Sequence, residues 1–515
     1  MKNKTSIRNK LGRAGVMLGL GLFTFLCAAF IALAGASKVT LLMLAAIAGL
    51  SLLAVSTSLL VQLTAFTVFL VIGQLMYFAG INQALWLAYG LGALLYLRVP
   101  IAYLSSPLAS TRLGLPFLFP LAFFFLVVGV STAANTPPFL QVVVGGKNLV
   151  MLWSLFLVLA MGAVAMSSLE RGFRLLFGLA WLQVPFVLYQ FLVVAPKRSD
   201  LGGRFGVSWD SIVGTYGGDP MGGGFSGTMA YMLILTMVLA IALRKYQLIR
   251  LRAVIGVWLA SLFAIGVAEI KVVVVLLPIG IAVLFWRDIL RMPLKALLGG
   301  LGTLALLLGI LLLYNQIHVG DPHRRAHDLT ELMDQTFGYS LDSQLISASG
   351  EMGRTTAIVF WYHEGFQHDP LRGMIGYGPG ASRSSSSLIV GEVARKYKFG
   401  IDRSTMTQLL WDLGLVGFLA YAFIFGSAAL MALRLAPGYE SASSRATLEA
   451  CGAGLVMVLV MLPYDRDLLE TPSLAFTVMA MLGYVAQAQV RRQLAQRREF
   501  HEAPAAAGAR YAHLN

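Results

Sequence analysis

Gly227-Thr-Met-Ala-Tyr-Met-Leu-Ile-Leu-Thr-Met-Val-Leu-Ala-Ile-Ala-Leu243 runs without a charge and stops at Arg244-Lys245. A stretch of that length and polarity matches a helix crossing about 30 Å of hydrocarbon, and basic residues at its end mark the cytoplasmic side. Similar runs recur through the 515 residues, of which 58% are hydrophobic and 12% charged. A soluble domain carries about 25% charged residues, so a soluble multidomain enzyme is excluded. The predicted fold is all-α, a polytopic membrane protein with about fourteen transmembrane helices. They lie near 14–34, 38–57, 60–80, 84–103, 115–133, 148–166, 173–195, 227–243, 252–268, 271–286, 296–315, 407–433, 449–465 and 473–489.

The net charge of +15 is distributed as a membrane protein distributes it. Lys2, Lys4, Arg8, Lys10 and Arg13 precede the first span, and Arg491, Arg492, Arg497 and Arg498 follow the last. Arg171 and Arg174, Arg244 to Arg252, and Arg287 to Lys295 occupy short loops that an even number of crossings places on one side. This is the cationic bias of cytoplasmic loops and not a nucleic-acid surface. Ala32-Leu33-Ala34 imitates a signal cleavage site, but the apolar run before it is long and more spans follow, so a retained helix is expected. Cys27 and Cys451 fall in apolar runs and build neither a disulfide framework nor a metal site.

The same topology expects two outer segments. The organisation is N-terminal spans over 1–195, a first periplasmic loop over 196–226, central spans over 227–315, a large periplasmic loop over 316–406, C-terminal spans over 407–489, and an irregular cytoplasmic tail over 490–515. The large loop, about ninety residues, is too long for a passive connection. Amphipathic stretches at 328–337 and 355–366 predict short helices over the membrane surface.

Polar residues between spans are where chemistry is sought. Arg354 opens a helix-like segment with Trp361 on the same face two turns on. An exposed arginine with an interfacial aromatic anchor is the plain reading; a guanidinium fork aimed at phosphate is the functional one. Glu269 and Lys271 lie between two apolar runs, as an interfacial turn or as substrate-facing charges. His323 and His327 are spaced i,i+4 with Asp321 and Asp328 beside them. A divalent metal needs such ligands, but Arg324-Arg325 repels a cation and the motif is not a zinc-protease one. No metal and no cofactor is expected. Gly145-Gly146-Lys147 and the glycines of 202–227 are incomplete phosphate-loop lookalikes.

Arg354, Trp361, Pro370, Gly376, Gly378 and Gly380, followed by Arg403, Asp412, Gly414 and Gly417, resemble in order and spacing the O-antigen ligase and Wzy-type polysaccharide polymerase superfamily of bacterial envelope synthesis. Arg403 falls where the ligases carry histidine, Lys271 where they carry an earlier arginine, and Arg204 resembles a further loop arginine. The resemblance implies metal-independent, inverting glycosyl transfer from undecaprenyl-pyrophosphate-linked sugar at the outer face of the bacterial inner membrane. Without the ligase histidine it points to a repeat-unit polymerase, with a ligase or protein glycan transferase as the alternative within the superfamily. A lipid-linked oligosaccharide flippase or other transporter is the alternative from another class.

Breaking a glycosyl–pyrophosphate bond puts negative charge on the leaving group, which fixed cations stabilise in place of a metal. Arg354 and Arg403 are the expected catalytic cations, with Lys271, Arg204, Arg372, Trp361 and Gly378 contacting pyrophosphate or sugar. His363, Glu364 and Asp369 are candidates for the base that accepts the hydroxyl proton. The expected partners are the lipid-linked glycan, membrane lipid, and flippase and chain-length regulator proteins; nucleic acid is not among them.

Overall fold

The structure is a computed structural model that describes residues 51–52, 55–105, 116–199, 211–220, 223–292, 352–384, 389–397 and 399–512, with 294, 299–302, 305, 309, 342–344 and 346 between them. The chain divides into compact units Met1–Leu60 and Val61–Asn515. Among the described residues, nine helices are long and apolar enough to cross a membrane. They are α1 (Thr57–Ala79), α2 (Asn82–Leu104), α3 (Leu118–Asn135), α4 (Phe139–Ala160), α5 (Met166–Arg198), α6 (Ser226–Lys245), α11 (Thr405–Gly438), α12 (Ala442–Met461) and α14 (Pro472–Arg497). Helices α7 (Leu251–Val267) and α8 (Val273–Leu284) are apolar but shorter. Short helices α9 (Arg354–Phe360), α10 (Pro370–Ile375) and α13 (Asp467–Glu470) lie between spans. Strands β1 (Gly218–Asp219) and β2 (Gly223–Gly224) pair antiparallel, Gly218 opposite Gly224.

Helix α6 is buried along most of its length, against α7, α8 and α12, and α14 packs against α4 and α12. Small residues permit these approaches: Gly454 of α12 abuts Met481 and Leu235, and Gly483 of α14 abuts Leu159. Between α3, α4 and α11 the rings of Phe124, Trp153, Phe156, Tyr421 and Phe425 form one aromatic layer. The outer helices show apolar side chains outward, with Phe119 82% and Leu175 71% exposed. Such faces suit lipid and would be untenable in water.

The expected spans meet observed helices from α1 onward, with shifted boundaries. The span expected at 148–166 begins earlier, at Phe139, because Pro137-Pro138 ends α3 and starts α4. The spans expected near 14–34, 38–57 and 296–315 lie almost wholly outside the described residues. The tail expected to be irregular continues as helix to Ala512. The expected helix at 355–366 is present as α9 and a π-helical turn, Trp361–Gln367, whereas 328–337 lies outside the described residues.

The segment 196–226, expected as an outer loop, is described at 196–199, 211–220 and 223–226. Helix α5 runs on to Arg198 through a π turn at Gln190–Val194. Residues 211–217 are buried against α1 and α5. Gln190 accepts from Val213 N (2.9 Å) and Gly214 N (2.8 Å) and donates to Gly214 O. Gln183 accepts from Thr215 N (2.8 Å), and Tyr77 donates to Ser211 O. Non-helical backbone inside a bundle needs partners that water would otherwise supply; the glutamines supply them.

Helix α6 fixes the two ends of the bundle. At its C-terminus Lys245 pairs with Glu449 (3.2 Å) and lies 3.7 Å from Asp288. At the same end Arg287 donates to Leu433 O and Arg174 to Ser443. At its N-terminus Thr228 N and Oγ1 donate to Asp467 (2.7 and 2.9 Å). The 20 residues between span roughly 30 Å, so the basic short loops and the 462–470 turn occupy opposite ends.

Candidate functional site

The site is assembled on the first turns of α11. Ser404 caps the helix: its Oγ accepts from Thr407 N (3.2 Å) while Thr407 Oγ1 accepts from Ser404 N (2.9 Å). The helix breaks at Gly414, where φ is +71°. Carbonyls just before the break take partners from the Gly376–Gly380 turn. Tyr377 N donates to Trp411 O (2.9 Å), and Gly378 N to Asp412 O (3.0 Å), which also accepts from Ser131 of α3 (2.9 Å). The Asp412 carboxylate accepts from Gly380 N (2.7 Å) and Ser382 N (2.8 Å). A carboxylate buried in apolar surroundings persists only with such donors.

The turn then places the loop that carries Arg383. Gly145 of α4 lies against Gly380, where a Cβ would approach within 2.3 Å. Asp402 accepts from Ser384 N (3.2 Å) and from its hydroxyl. The loop is therefore held on both sides of Arg383 by carboxylates. Lys147 follows Gly145 on α4 and is 8% exposed. Its Nζ donates to Asn148 (2.7 Å) and lies 4.1 and 5.2 Å from the ring centres of Tyr89 and Trp86, a cation–π arrangement that partly replaces lost hydration.

Glu470, in α13, is the carboxylate that these cations share. Its oxygens accept from Gln408 (3.1 Å), pair with Arg466 (3.2 Å), and lie 4.0 Å from Arg383. Burial alone would raise its pKa, but Arg466, Arg383, Gln408 and Lys147 together outweigh that, and the carboxyl titrates below the ordinary range. Asp412, Asp402, Asp465 and Asp467 accept from backbone N–H groups, whereas Glu470 faces side-chain donors. Beside it a narrow, partly open cavity, about 280 Å³ only when the open solvent at its mouth is counted, is lined by Asn148, Ser382, Arg383, Gln408, Asp412 and Leu469.

Arg354 reaches the same 462–470 turn, and Arg403 lies two residues before Thr405, which bonds it. Arg354 Nε donates to Tyr464 O, with its guanidinium carbon 3.9 Å from the centre of the Tyr464 ring. Arg403 lies between Asp402, whose charge acts on Arg466, and Ser404. The next residue, Thr405, donates through N and Oγ1 to Asp465 O, both at 2.8 Å. Arg354, Arg383, Arg403, Arg466 and Lys147 are thus distributed around one end of the bundle.

Other expected site residues sit elsewhere. Trp361 is buried in a small core with Ile401, Leu410 and Trp411, donating to Leu410 O (3.0 Å); it anchors α9 to α11. Gly378, at φ +96°, packs on Pro137. His363 is exposed and bonds Gln367 (2.8 Å); Glu364 lies 3.9 Å from His368. Asp369 caps α10 by accepting from Arg372 N, and Arg372 lies over the Tyr377 ring at 5.3 Å. Among the described residues, no contact joins His363, Glu364 or Asp369 to Glu470. Lys271 is half-buried on the turn between α7 and α8. Arg204, His323 and His327 lie outside the described residues.

Sequence reasoning passed over Lys147, Arg383, Arg466 and Glu470. For Lys147 the available signal was a charge inside an apolar run, taken instead as the end of a glycine loop. For Arg466 and Glu470 it was the dense charge of Asp465-Arg466-Asp467-Leu-Leu-Glu470 between two spans. Among the described residues no group of three His, Cys, Asp or Glu side chains could hold a metal ion. No protein-family model matches this chain, and a search of curated proteins returns no match.

Proposed function

We propose that this multi-pass membrane protein polymerises undecaprenyl-pyrophosphate-linked oligosaccharide repeat units at the outer face of the bacterial inner membrane, by metal-independent, inverting glycosyl transfer. The observation that carries the reading is the convergence of Lys147, Arg383 and Arg466 on Glu470 beside a cavity, with Arg354 bonded to Tyr464 of the same turn and Arg403 two residues before Thr405, which bonds Asp465. The end of the bundle opposite carries the basic short loops, which marks it as cytoplasmic and leaves the cation cluster outside. Fixed guanidinium groups at low dielectric stabilise the developing charge of a pyrophosphate leaving group without reorganising. Arg354 and Arg403 supply that charge, the 376–384 turn holds the donor, and a carboxylate near the acceptor hydroxyl takes its proton. About fourteen spans, three of them in 14–34, 38–57 and 296–315, complete the topology. A ligase of the same superfamily uses the same arrangement with a different acceptor.

A transporter reading has its own observation in favour: a buried lysine within α4 and a non-helical segment, 211–217, inside the bundle, both familiar in transporters. The experiment that decides is chain growth. Purified protein in lipid, given lipid-linked repeat units and EDTA, is expected to lengthen them. Arrest of growth by EDTA would overturn the metal-free mechanism. Movement of substrate across vesicles without growth would establish the transporter.

A further inference from the structure

The guanidinium of Arg383 is held where its own protein uses little of it. The loop that carries it is fastened by Asp412 through Gly380 N and Ser382 N, and by Asp402 through Ser384. Its Nε is buried and has no hydrogen-bond partner among the described residues. Its ion-pair contact, to Glu470, is 4.0 Å, at the outer limit of an ion pair, and Glu470 already serves Gln408 and Arg466 at 3.1 and 3.2 Å. An arginine placed for structure alone ordinarily saturates its donors on carbonyls or carboxylates, because a buried donor left unmet costs free energy. This one lines the cavity with its Nε–H unmet among the described residues, and the Lys147 charge is close enough to act on the same carboxylate.

We propose that Arg383 is an anion-binding residue, which takes a phosphate-class group in the cavity through Nε–H and a neighbouring Nη–H, the bidentate geometry for which a guanidinium is suited. The inference rests on the polymerase reading for its preferred ligand, the pyrophosphate of the lipid carrier. Asn148, Ser382 and Gln408 offer polar groups at the same cavity. Asp412 also lines it, but its oxygens face Gly380 N and Ser382 N, which offset its charge. Glu470 occupies the place of the anion when the site is empty, and a ligand phosphate draws Arg383 away from it. The cavity is narrow and partly open, so a phosphate-class group enters it only as Arg383 leaves Glu470, and an oligosaccharide does not fit. The sugar therefore remains outside the cavity.

The test uses the full-length protein in phosphatidylcholine nanodiscs. Binding of inorganic pyrophosphate, undecaprenyl pyrophosphate and phosphatidylglycerol is measured for the wild type, Arg383→Ala and Arg383→Lys. Pyrophosphate is expected to bind the wild type and to lose roughly ten- to hundredfold in affinity in Arg383→Ala, with Lys restoring part of the loss. Tighter binding of the carrier than of phosphatidylglycerol assigns the site to the carrier; the reverse order makes it a headgroup site and overturns that assignment. Should Arg383→Ala fail to fold, phenylglyoxal modification of the wild type answers instead. Pyrophosphate should protect Arg383, and an unchanged modification rate overturns the proposal, as does a wild type that binds no anion. Glycan growth is measured in parallel. Growth with undiminished anion binding in Arg383→Ala sinks the Arg383 site and leaves the polymerase reading. Anion binding at Arg383 without growth leaves the site and sinks that reading.

Discussion

Gly376 and Gly414 each stand in space bounded by the other's neighbours. A Cβ on Gly376 would lie 2.3 Å from the Asp412 carbonyl oxygen, and a Cβ on Gly414 would lie 2.3 Å from the Met374 carbonyl oxygen. Both have positive φ, +79° and +71°. The glycines of the two motif segments form one backbone joint that fastens the polar insert to a broken span. Gly376→Ala and Gly414→Ala are each expected to cost about 1–3 kcal/mol from backbone conformation alone, with the clash adding to it. Because the two sites share one interface, the double variant should lose less than the sum. Thermal unfolding in detergent reads this; additive losses would mean that the joint is not shared.

Asp412 gives a sharper test of the same joint. Its carboxylate accepts from two backbone N–H groups, and asparagine offers one acceptor and sets an NH₂ against the other donor. Asp412→Asn should therefore lower stability by about 1–3 kcal/mol despite its nearly identical shape. An unfolding midpoint equal to the wild type's would show that water or movement of the 380–382 loop makes good the lost acceptor.

The spans from 60–80 onward were legible because lipid imposes one simple requirement, a long uncharged run. The glycine motifs were legible as a pattern, though their role as a backbone joint was not: Gly376 and Gly414 are far apart in the chain and the contact is tertiary. Lys147 was misplaced because glycines beside a lysine imitate a phosphate loop, while its cage of Trp86 and Tyr89 comes from another helix. The burial of 211–217 was hidden for a similar reason. Its partners are glutamines in the middle of α5, and nothing local to the segment declares them.

Stability should depend on pH in opposite directions at two neighbouring carboxyls. Glu470 is held low by its cations, which outweigh its burial, so its contribution is present above the unfolded glutamate value and is lost as pH falls through the folded one. Asp467 is raised well above its ordinary value by burial and then by the Asp465 charge. Its contribution is full below the unfolded aspartate value, about 3.9, and is lost as pH rises through the folded one. Asp467→Asn should therefore flatten the decline on the rising side, and Glu470→Gln the decline on the acid side. Unfolding midpoints taken across pH would contradict this if Asp467→Asn kept the wild-type slope above pH ~4.

Sidedness is testable at both ends of α6. Arg395 is exposed on the end that carries Glu470 and Arg250 on the end that carries Lys245. In cells with a permeabilised outer membrane, a cysteine in place of Arg395 should react with an impermeant maleimide, whereas one in place of Arg250 should react only after the inner membrane is lysed. The reverse pattern would put the cation cluster in the cytoplasm, where no exported glycan is assembled by this route.

Arg354 and Arg403 can be set against Lys271. If the two arginines stabilise the pyrophosphate leaving group, Arg354→Ala and Arg403→Ala should each slow chain growth by at least about a hundredfold with protein level retained. Arg354→Lys should remain poor, because a point charge does not reproduce a guanidinium fork, and because the stack on Tyr464 at 3.9 Å is lost with it. Lys271, on the turn between α7 and α8, offers a point charge and not a guanidinium fork. Its alanine variant should slow growth less than either arginine variant. A structural role for Arg354 would show as a lowered unfolding midpoint with growth lost in proportion to folded protein. Normal growth in both arginine variants would mean that other cations carry the leaving-group charge, with Arg383 and Arg466 next in line around Glu470.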